Sequence, residues 1–331
     1  MSASASDPLL KVCDLKVHFP LRRSNPLALA KSVHAVDGVS FAMARGRTFG
    51  IVGESGSGKT TTALTIMRLI APTSGTIEFE GVDLATQTGA ALQRARRRFQ
   101  MVFQDPLSSL NPRLRAGAIV REPLDLMQIG EVATRGAWVD ELFRRVGLRP
   151  EQRDLFPHQF SGGQRQRIGI ARALASRPDL IVCDEPVSAL DVAVRAQILN
   201  LFISLQKDFG FAYLFISHDL GVMRHMCDDI AVMYLGRIME SADRASLFSR
   251  PLHPYTRALL SAAPGRDRAG RVKLVGDPPN PIDLPPGCRF AGRCRFAEAR
   301  CNAEEPQLRV IEAGHLVACH LVSDAGHAPQ E

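Results

Sequence analysis

An eight-residue stretch, Gly53-Glu54-Ser55-Gly56-Ser57-Gly58-Lys59-Thr60, constrains the fold of this chain more than any other feature. It fits the pattern G-x-x-x-x-G-K-[ST], in which glycines let the backbone turn tightly and direct successive N–H groups at phosphate oxygens. The lysine would reach the β- and γ-phosphates, and the threonine hydroxyl would coordinate Mg²⁺. Residues 47–52 predict a short buried strand, and residues 61–70 have helical spacing. Strand, glycine-rich loop and helix follow in the order that a phosphate-binding loop requires.

Two adjacent carboxylates, Asp184 and Glu185, follow a predicted strand at residues 179–183 (DLIVC) that is apolar after its first residue. Asp184 comes 125 residues after Lys59, in the kind of position where P-loop enzymes place the aspartate that holds Mg²⁺. Alternation along a strand would send the two side chains in different directions. One carboxylate could then hold the metal ion while the other faces an attacking water as general base.

A second candidate anion-binding feature is Ser161-Gly162-Gly163-Gln164, which opens a segment with helical spacing. Ser161 is a natural helix N-cap. The two glycines allow close approach of a ligand, and the positive end of the helix dipole points at it. One nucleotide motif combined with two phosphate-binding helix ends predicts a site that is shared between two subunits.

The composition is ordinary for a globular protein, with 45% hydrophobic and 23% charged residues in a chain of 331. No apolar run approaches the roughly 18–20 residues that span a bilayer, and the polar N-terminus lacks the layout of a signal peptide. The net charge is +7, and its densest run is residues 94–98. Because no set of stacking aromatics accompanies this run, we interpret it as a solvated helix face and expect no nucleic-acid partner. We expect a cytosolic chain, or one bound to a membrane through partners.

Apolar strands that alternate with helices predict an α/β fold with a mainly parallel core sheet. Residues 9–19 and 33–41 predict a small antiparallel sheet, with a loop at 20–32 between them. Helical spacing at 116–127 and 135–147 predicts a helical subdomain at about 105–178. After residue 253 the pattern of alternating strands and helices ends, and a short predicted helix, a proline-rich stretch and a cysteine cluster follow. We therefore predict a nucleotide-binding domain at 1–253 and a C-terminal extension at 254–331.

Four of the seven cysteines, Cys288, Cys294, Cys301 and Cys319, crowd this C-terminal extension. In a cytosolic chain such clustering favours a metal site over disulfides. The spacing C-x5-C-x6-C-x17-C is not the C-x2-C of a zinc ribbon. Four thiolates suit either a [4Fe–4S] cluster or zinc, with His320 as a spare ligand, and four reduced cysteines without metal are the third possibility.

The order of P-loop, Ser-Gly-Gly-Gln and a strand that ends in Asp-Glu resembles the ATP-binding cassette (ABC) ATPases over residues 9–260. The resemblance implies two facing subunits that sandwich two ATP molecules, and it also implies the roles of individual residues. The phosphates would be bound by Gly53 to Thr60 together with Thr61, and Mg²⁺ would be held by Thr60, Gln104 and Asp184. Glu185 would be the catalytic base, and His218 would contact the γ-phosphate. The ATP of the opposite subunit would be touched by Ser161 to Gln164, and Asp191 would lie in the loop that crosses the dimer interface. For the aromatic residue that stacks on adenine, Phe19 competes with His34.

Two further stretches, residues 103–112 (FQDPLSSLNP) and 251–257 (PLHPYTR), resemble the ATPase subunits of oligopeptide, dipeptide and nickel importers, as does the cysteine-bearing tail. The insert at 20–32 is more similar to the second ATPase subunit of such systems. This resemblance implies a heterodimer with a related ATPase, two transmembrane permease subunits, a substrate-binding protein, and a place on the cytoplasmic face of the membrane. It favours [4Fe–4S] over zinc, and it leaves peptides, nickel and glutathione open as cargo.

Two other classes of protein share part of the pattern. A soluble ABC protein of DNA repair would carry long coiled-coil insertions, and a typical ribosomal one would carry two tandem cassettes. Neither feature occurs in this sequence. A P-loop kinase is the second alternative, and the Ser-Gly-Gly-Gln segment and the position of His218 argue against it. ATPase activity that needs dimerisation, without a phosphorylated product, would separate these classes.

Overall fold

The computed structural model describes residues 7–21, 31–262, 274 and 276–329, and these residues fall into two compact units. Unit 1 contains residues up to Met43, Phe49–Ala85 and Ser217 onward, whereas unit 2 contains Ala44–Thr48 and Thr86–Ile216. Most of the loop predicted at 20–32 lies outside the described residues. No helix in the described part of the chain is long and apolar enough to cross a membrane.

Unit 1 begins with the small antiparallel sheet that the alternating N-terminal residues predict. Its strand order is β2-β1-β4-β5. The strands are β1 (Leu10–Pro20), β2 (Ser32–Met43), β4 (Ser74–Phe79) and β5 (Val82–Asp83). The long β1–β2 pair runs from Leu10 opposite Met43 to Pro20 opposite Ser32, with Phe19 opposite Val33. This register matters for the site because it sets Phe19 and Val33 side by side at one end of the sheet.

A second sheet of unit 1 carries the phosphate loop. Here β3 (Thr48–Val52) pairs in parallel with β9 (Asp229–Tyr234), and β9, β10 (Arg237–Asp243), β12 (His315–Val317) and β11 (Arg309–Glu312) continue as antiparallel neighbours. The core sheet is thus parallel around the phosphate loop and antiparallel toward the C-terminal strands. The helices of the unit are α1 (Lys59–Ile66), α8 (Leu220–Met226), α9 (Arg244–Ser249), α10 (Pro254–Ala262) and α11 (Ala299–Ala303).

Unit 2 joins three parallel strands to a group of helices. The strands β6 (Phe99–Val102), β7 (Leu180–Asp184) and β8 (Ala212–Ser217) pair in the order β8-β7-β6. Every residue of β7 and β8 is buried, as expected for parallel strands that are covered on both faces. The helices are α2 (Gly89–Arg96), α3 (Pro106–Ser109), α4 (Ala116–Leu126), α5 (Arg135–Arg145), α6 (Gly162–Leu174) and α7 (Val192–Phe209).

The α/β fold class and most predicted elements are confirmed, including the predicted helices at 116–127 and 135–147, which correspond to α4 and α5. The helix predicted at 61–70 is shorter than its apolar spacing indicated. It ends at Ile66, and Arg68 adopts a positive φ of 55°. A non-glycine residue in the left-handed region cannot continue a right-handed helix, so Leu69 and Ile70 lie beyond its end.

Candidate functional site

The phosphate loop runs from the end of β3 into α1, and its lysine is held by the loop itself. Lys59 is 5% exposed, and its ammonium donates hydrogen bonds to the carbonyl oxygens of Gly53 (2.9 Å) and Glu54 (2.8 Å). Ser57 closes the loop, because its N–H donates to the carbonyl oxygen of Glu54 at 3.2 Å. The Thr60 side chain stands exposed in the first turn of α1, where a hydroxyl can reach a bound metal ion.

Two glycines of the loop are required by sterics. A Cβ atom on Gly53 would lie 2.1 Å from the carbonyl oxygen of Met233, which belongs to β9. At Gly58, φ is +102°, and a Cβ atom would lie 2.1 Å from the carbonyl oxygen of Ala35 in β2. Both neighbours are backbone atoms that cannot move aside, so the tight seating of the loop between β2 and β9 depends on glycine at these positions.

Glu54 links the phosphate loop to the C-terminal part of unit 1, a contact that the sequence analysis missed. Its backbone N–H donates to the Tyr255 hydroxyl of α10 at 3.0 Å. Its carboxylate receives two hydrogen bonds from the Arg293 guanidinium, at 2.8 and 3.2 Å. Burial alone would lower the pKa of Arg293, but the hydrogen bond with Glu54 and the nearby Tyr234 outweigh it and raise that pKa. Tyr255 lies within the 251–257 motif and Arg293 directly precedes Cys294, but the spacing of these stretches does not reveal the contact.

The two candidates for adenine stacking lie at the end of the β1–β2 pair. Phe19 is 39% exposed, which is unusual for a phenylalanine and leaves a ring face accessible to a base. The His34 ring instead packs against His18, with ring centroids 4.1 Å apart. Burial lowers the pKa of His34, followed by the effect of His18. The greater exposure of the Phe19 ring favours it over His34.

The catalytic candidates of unit 2 gather at the ends of β6 and β7. Asp184 ends β7 and is buried, whereas Glu185 is half-buried and has a positive φ of 45°. The side-chain amide of Gln104 donates to a carboxylate oxygen of Glu185 at 3.2 Å. We predicted that strand alternation separates the two carboxylates. The structure shows instead that the chain turns out of the strand at Glu185, whose N–H donates to the Ile216 carbonyl at 2.9 Å.

The signature segment begins α6 with two reciprocal hydrogen bonds. The Gln164 N–H donates to the Ser161 hydroxyl at 3.3 Å, and the Ser161 N–H donates to the Gln164 side chain at 3.0 Å. This capping box confirms the predicted N-cap. Gly163 packs so closely against Val194 of α7 that a Cβ atom would lie 2.5 Å from it. Asp191 caps α7 by accepting the Val194 N–H at 2.9 Å, so the starts of α6 and α7 lie against each other.

His218 lies between β8 and α8, in the same unit as the phosphate loop. Its ring is exposed, and the next residue, Asp219, caps α8 by accepting the Gly221 N–H at 2.8 Å. The backbone that carries the histidine is therefore fixed on both sides, by a buried strand and by a capped helix.

The four C-terminal cysteines come together in unit 1, three of them buried and Cys294 half-buried, and none forms a disulfide. The Cys288 N–H donates to the Cys301 carbonyl at 2.7 Å. Burial, and then the neighbouring thiols, raise the pKa of Cys288 to about 11. Burial also raises the pKa of Cys319 to about 11 and that of Cys294 above its ordinary value. Four soft donors thus converge in a site that disfavours free thiolates.

The spacing of the sulfur atoms bears on which metal could fit. Four sulfurs bound to one zinc ion at about 2.3 Å lie about 3.8 Å apart. No three of the four sulfur atoms lie within 4.8 Å of one another. The thiols as placed would therefore have to move closer together to bind a single zinc ion. The His320 ring, the spare ligand of the sequence analysis, is 2.9 Å from the Glu304 carbonyl oxygen.

One other group of possible metal ligands exists among the described residues: His18, His34 and Asp37, with ligand atoms within 4.8 Å of one another. Asp37 already pairs with His18 at 3.0 Å and with Arg289. Burial would raise the pKa of Asp37, but the hydrogen bond and charge of Arg289 lower it to about 2. The guanidinium on this carboxylate opposes a second cation, so we assign these residues to an ion-pair network.

Two family matches cover most of the described features. Residues 36–188 match the family "ABC transporter", which includes the phosphate loop, the signature segment and the two carboxylates. Residues 239–301 match "Oligopeptide/dipeptide transporter, C-terminal region", which includes most of β10, all of α10 and the first three cysteines of the cluster.

Similar proteins extend these matches to nearly the whole chain. The chain is 47% identical to the oligopeptide transport ATP-binding protein AppF of Bacillus subtilis (strain 168), over 98% of this chain and 100% of that protein. It is 50% identical to the probable peptide ABC transporter ATP-binding protein y4tS of Sinorhizobium fredii (strain NBRC 101917 / NGR234), over 98% and 92%.

Solved structures agree with the fold. A post-hydrolysis dimer of the ATP-binding cassette MJ0796 with ADP and Pi aligns with a TM-score of 0.62 at 27% identity, over 71% of this chain and 98% of that one. The cbiO1 protein of Clostridium perfringens, part of an ABC transporter complex, aligns with a TM-score of 0.63 at 27% identity, over 74% and 92%. The phosphate loop, the signature segment and the paired carboxylates thus occur in a chain that belongs to the ABC transporter ATPases, in the group with the oligopeptide/dipeptide C-terminal region.

Proposed function

We propose that this ATPase powers an ABC importer for dipeptides and oligopeptides across the cytoplasmic membrane. The observation that carries the proposal is the nearly full-length similarity to peptide-transport ATP-binding proteins, including the C-terminal region. A complete phosphate loop and a capped signature helix supply the chemistry that this role needs. Nickel and glutathione are the alternative cargoes for an importer with the same ATPase.

In this proposal the loop from Gly53 to Thr61 binds the phosphates of ATP, and Phe19 stacks on the adenine. When ATP binds, the Lys59 ammonium gives up its hydrogen bonds with the loop carbonyls and forms bonds with the β- and γ-phosphates, because it is a compact positive charge. Mg²⁺, bound through Thr60, Gln104 and Asp184, would neutralise charge on the phosphates.

We assign the general base to Glu185, because Gln104 orients its carboxylate through the 3.2 Å hydrogen bond. A base held in this way can accept a proton from the water that attacks the γ-phosphate. His218 is the second contact to that phosphate in the proposal. Ser161 to Gln164 form the N-terminus of α6, whose partial positive charge can bind the ATP held by a second ATPase subunit. Asp191 would lie at the same dimer interface.

We further propose the surroundings of this subunit. It would form a heterodimer with a related ATPase, dock two transmembrane permeases through the helical subdomain at about 105–178, and act indirectly with a substrate-binding protein. It would lie on the cytoplasmic face of the membrane as a peripheral subunit. The nucleotide-binding domain would span 1–253, and residues 254–331 would form the importer-type extension.

For the four cysteines we propose a [4Fe–4S] cluster held by Cys288, Cys294, Cys301 and Cys319. The convergence of four thiols supports a thiolate-bound group, and no three of their sulfur atoms lie within 4.8 Å of one another, as a single zinc ion would need. Anaerobic purification followed by iron, sulfide and zinc analysis tests this directly. About four irons and four sulfides per chain would support the cluster, whereas one zinc or no metal would contradict it.

The transport proposal is tested by uptake of labelled substrates in cells that depend on this chain. Replacing it by the Glu185→Gln variant should abolish uptake of labelled dipeptides and oligopeptides. Uptake of nickel and glutathione should stay unchanged. Loss of nickel or glutathione uptake with peptide uptake intact would reassign the cargo. If the variant changes the uptake of neither peptides, nickel nor glutathione, the transport role is refuted.

A further inference from the structure

Glu54 is held at three points, and only one of them belongs to the phosphate loop itself. Its carbonyl oxygen accepts the Lys59 ammonium at 2.8 Å. Its N–H donates to the Tyr255 hydroxyl at 3.0 Å, and its carboxylate binds both terminal nitrogens of Arg293. Glu54, which helps to hold Lys59, is therefore also the residue of the loop that is bound by Tyr255 and Arg293 of the C-terminal region.

Arg293 is itself well fixed. It ends the short 3₁₀ turn Ala291–Arg293, which lies between Cys288 and Cys294 and begins with the Ala291 N–H bonded to the Cys288 carbonyl at 2.9 Å. Its side chain is 8% exposed, and its guanidinium also donates to the Tyr234 hydroxyl at 3.3 Å. Loss of order in this turn would release the guanidinium from Glu54.

A second arginine fastens the same segment to the body of unit 1. Arg289, next to Cys288, is 4% exposed and forms hydrogen bonds with the Asp37 carboxylate and the Leu235 carbonyl. The Phe290 ring packs among Tyr234 and Tyr255, with centroids 5.5 and 5.3 Å away. The segment 288–294 is thus fastened to unit 1 at several points. Among the described residues, its one ion pair with the phosphate loop is the pair between Arg293 and Glu54.

We propose that the cysteine-bearing segment positions the phosphate loop through Arg293, so that the integrity of this segment sets the affinity for nucleotide. Glu54 is an anion in a loop that binds anions. Paired with Arg293 its charge is neutralised and its backbone is held for Lys59. Without Arg293 the same carboxylate repels the phosphates and can compete for Lys59. The inference rests on the proposed nucleotide site, and Arg293 acts in it as a positioning residue.

The charge argument predicts an unusual order of effects, which tests the proposal. Equilibrium binding of a fluorescent ATP analogue to the full chain should weaken about 10-fold in Arg293→Gln, a typical size for coupling between sites. Glu54→Gln should weaken it no more than about threefold, because it removes the pairing together with the repulsive charge. The double variant should therefore bind better than Arg293→Gln alone. KM for ATP should rise in Arg293→Gln with kcat nearly unchanged.

Arg300→Gln is the matched control, since it removes an exposed arginine of α11 that pairs with Glu304 beside Cys301. It should bind the analogue as the unmodified chain does. If the double variant binds as weakly as Arg293→Gln or worse, or if Arg293→Gln binds normally, the proposal is wrong. Failure of the unmodified chain to bind the analogue would refute the nucleotide site itself, which keeps the two failures apart.

The link to the cysteines has its own measurement. If the cysteine-bearing segment acts through Arg293, Cys294→Ser, at the next residue, should weaken binding of the analogue by about the same factor as Arg293→Gln. Combined in one chain, the two changes should weaken binding no further than either change alone. Additive losses, or normal binding by Cys294→Ser, would show that the cysteines do not act through Arg293.

Discussion

Replacing Glu240 by glutamine should lower the free energy of unfolding of this protein by about 2–4 kcal/mol. Glu240 is a β10 residue with 0% exposure. One carboxylate oxygen accepts the Leu252 N–H at 2.7 Å and lies 2.8 Å from Nε2 of His315, and the other accepts the His253 N–H at 2.9 Å. The carboxylate thus ties β10 to β12 and to the turn before α10.

The magnitude follows from the number of donors. Both carboxylate oxygens accept backbone N–H groups, and a glutamine side chain offers only one oxygen. One buried N–H therefore loses its acceptor, at about 1–3 kcal/mol, and the remaining bonds lose the charge that strengthens them, at about 1 kcal/mol. The turn at Leu252 and His253 leads directly to Tyr255, so the same change should also loosen the contact with Glu54.

Urea unfolding followed by far-UV circular dichroism measures the effect. The single tryptophan, Trp138, lies in α5 of unit 2, so its fluorescence reports the other unit separately. Glu312→Gln is the matched control, because that glutamate is about half exposed on β11 and pairs with Arg250, and its loss should leave the free energy of unfolding nearly unchanged. If Glu240→Gln and Glu312→Gln unfold at the same urea concentration, the buried carboxylate does not stabilise unit 1 as argued.

Three further predictions concern turnover, the phosphate loop and acid pH. Glu185→Gln should retain ATP binding but lose more than about 100-fold in kcat, since the general base is gone; hydrolysis within a few-fold of normal would contradict the assignment. Gly58→Ala should destabilise the protein by about 3 kcal/mol or more in urea unfolding, whereas Gly56→Ala, also at positive φ but with no atom within 4 Å of the new Cβ, should cost about 1–2 kcal/mol; equal losses would refute the steric argument. Burial lowers the pKa of His253 to about 4, and its Nδ1 accepts the Tyr255 N–H at 3.0 Å, so the folded protein resists a proton that the unfolded chain takes up near pH 6.5. The free energy of unfolding should therefore be full above about pH 6.5 and fall by up to about 3 kcal/mol as the pH drops to about 4. The His253→Gln variant should show a shallower pH dependence, and an unchanged slope would assign the acid loss to other groups.

Local motifs were readable from the sequence because their chemistry is contiguous. The phosphate loop is eight consecutive residues between a strand and a helix, and Ser161 with Gln164 forms a cap within one helical turn. The buried parallel strands β7 and β8 are also predictable from the sequence, since strands covered on both faces are mostly apolar, here up to the polar residues Asp184 and Ser217 at their ends. The family resemblance rests on these same contiguous stretches, and the matches over 36–188 and 239–301 confirm it.

Turns that depend on distant partners were not readable. The helix after the phosphate loop ends at Ile66 although its apolar spacing continues, because Arg68 takes a left-handed backbone conformation. Glu185 likewise leaves its strand through a positive φ, with its N–H bonded to Ile216 of the neighbouring strand. In both cases the backbone conformation departs from what the spacing of side chains predicts.

The sequence by itself determined that this chain belongs to the ABC ATPases, because the eight residues of the phosphate-loop motif are adjacent in the chain. Only the tertiary structure decided what holds the phosphate loop in place. Glu54 meets Tyr255 and Arg293 across 201 and 239 residues of chain. Those contacts exist because β10 pairs with β9 on one side and β12 on the other, which brings the C-terminal segment back to the phosphate loop. Strand pairing between distant segments leaves no periodic signal in the sequence, so the partners of Glu54 could be found only in the folded chain.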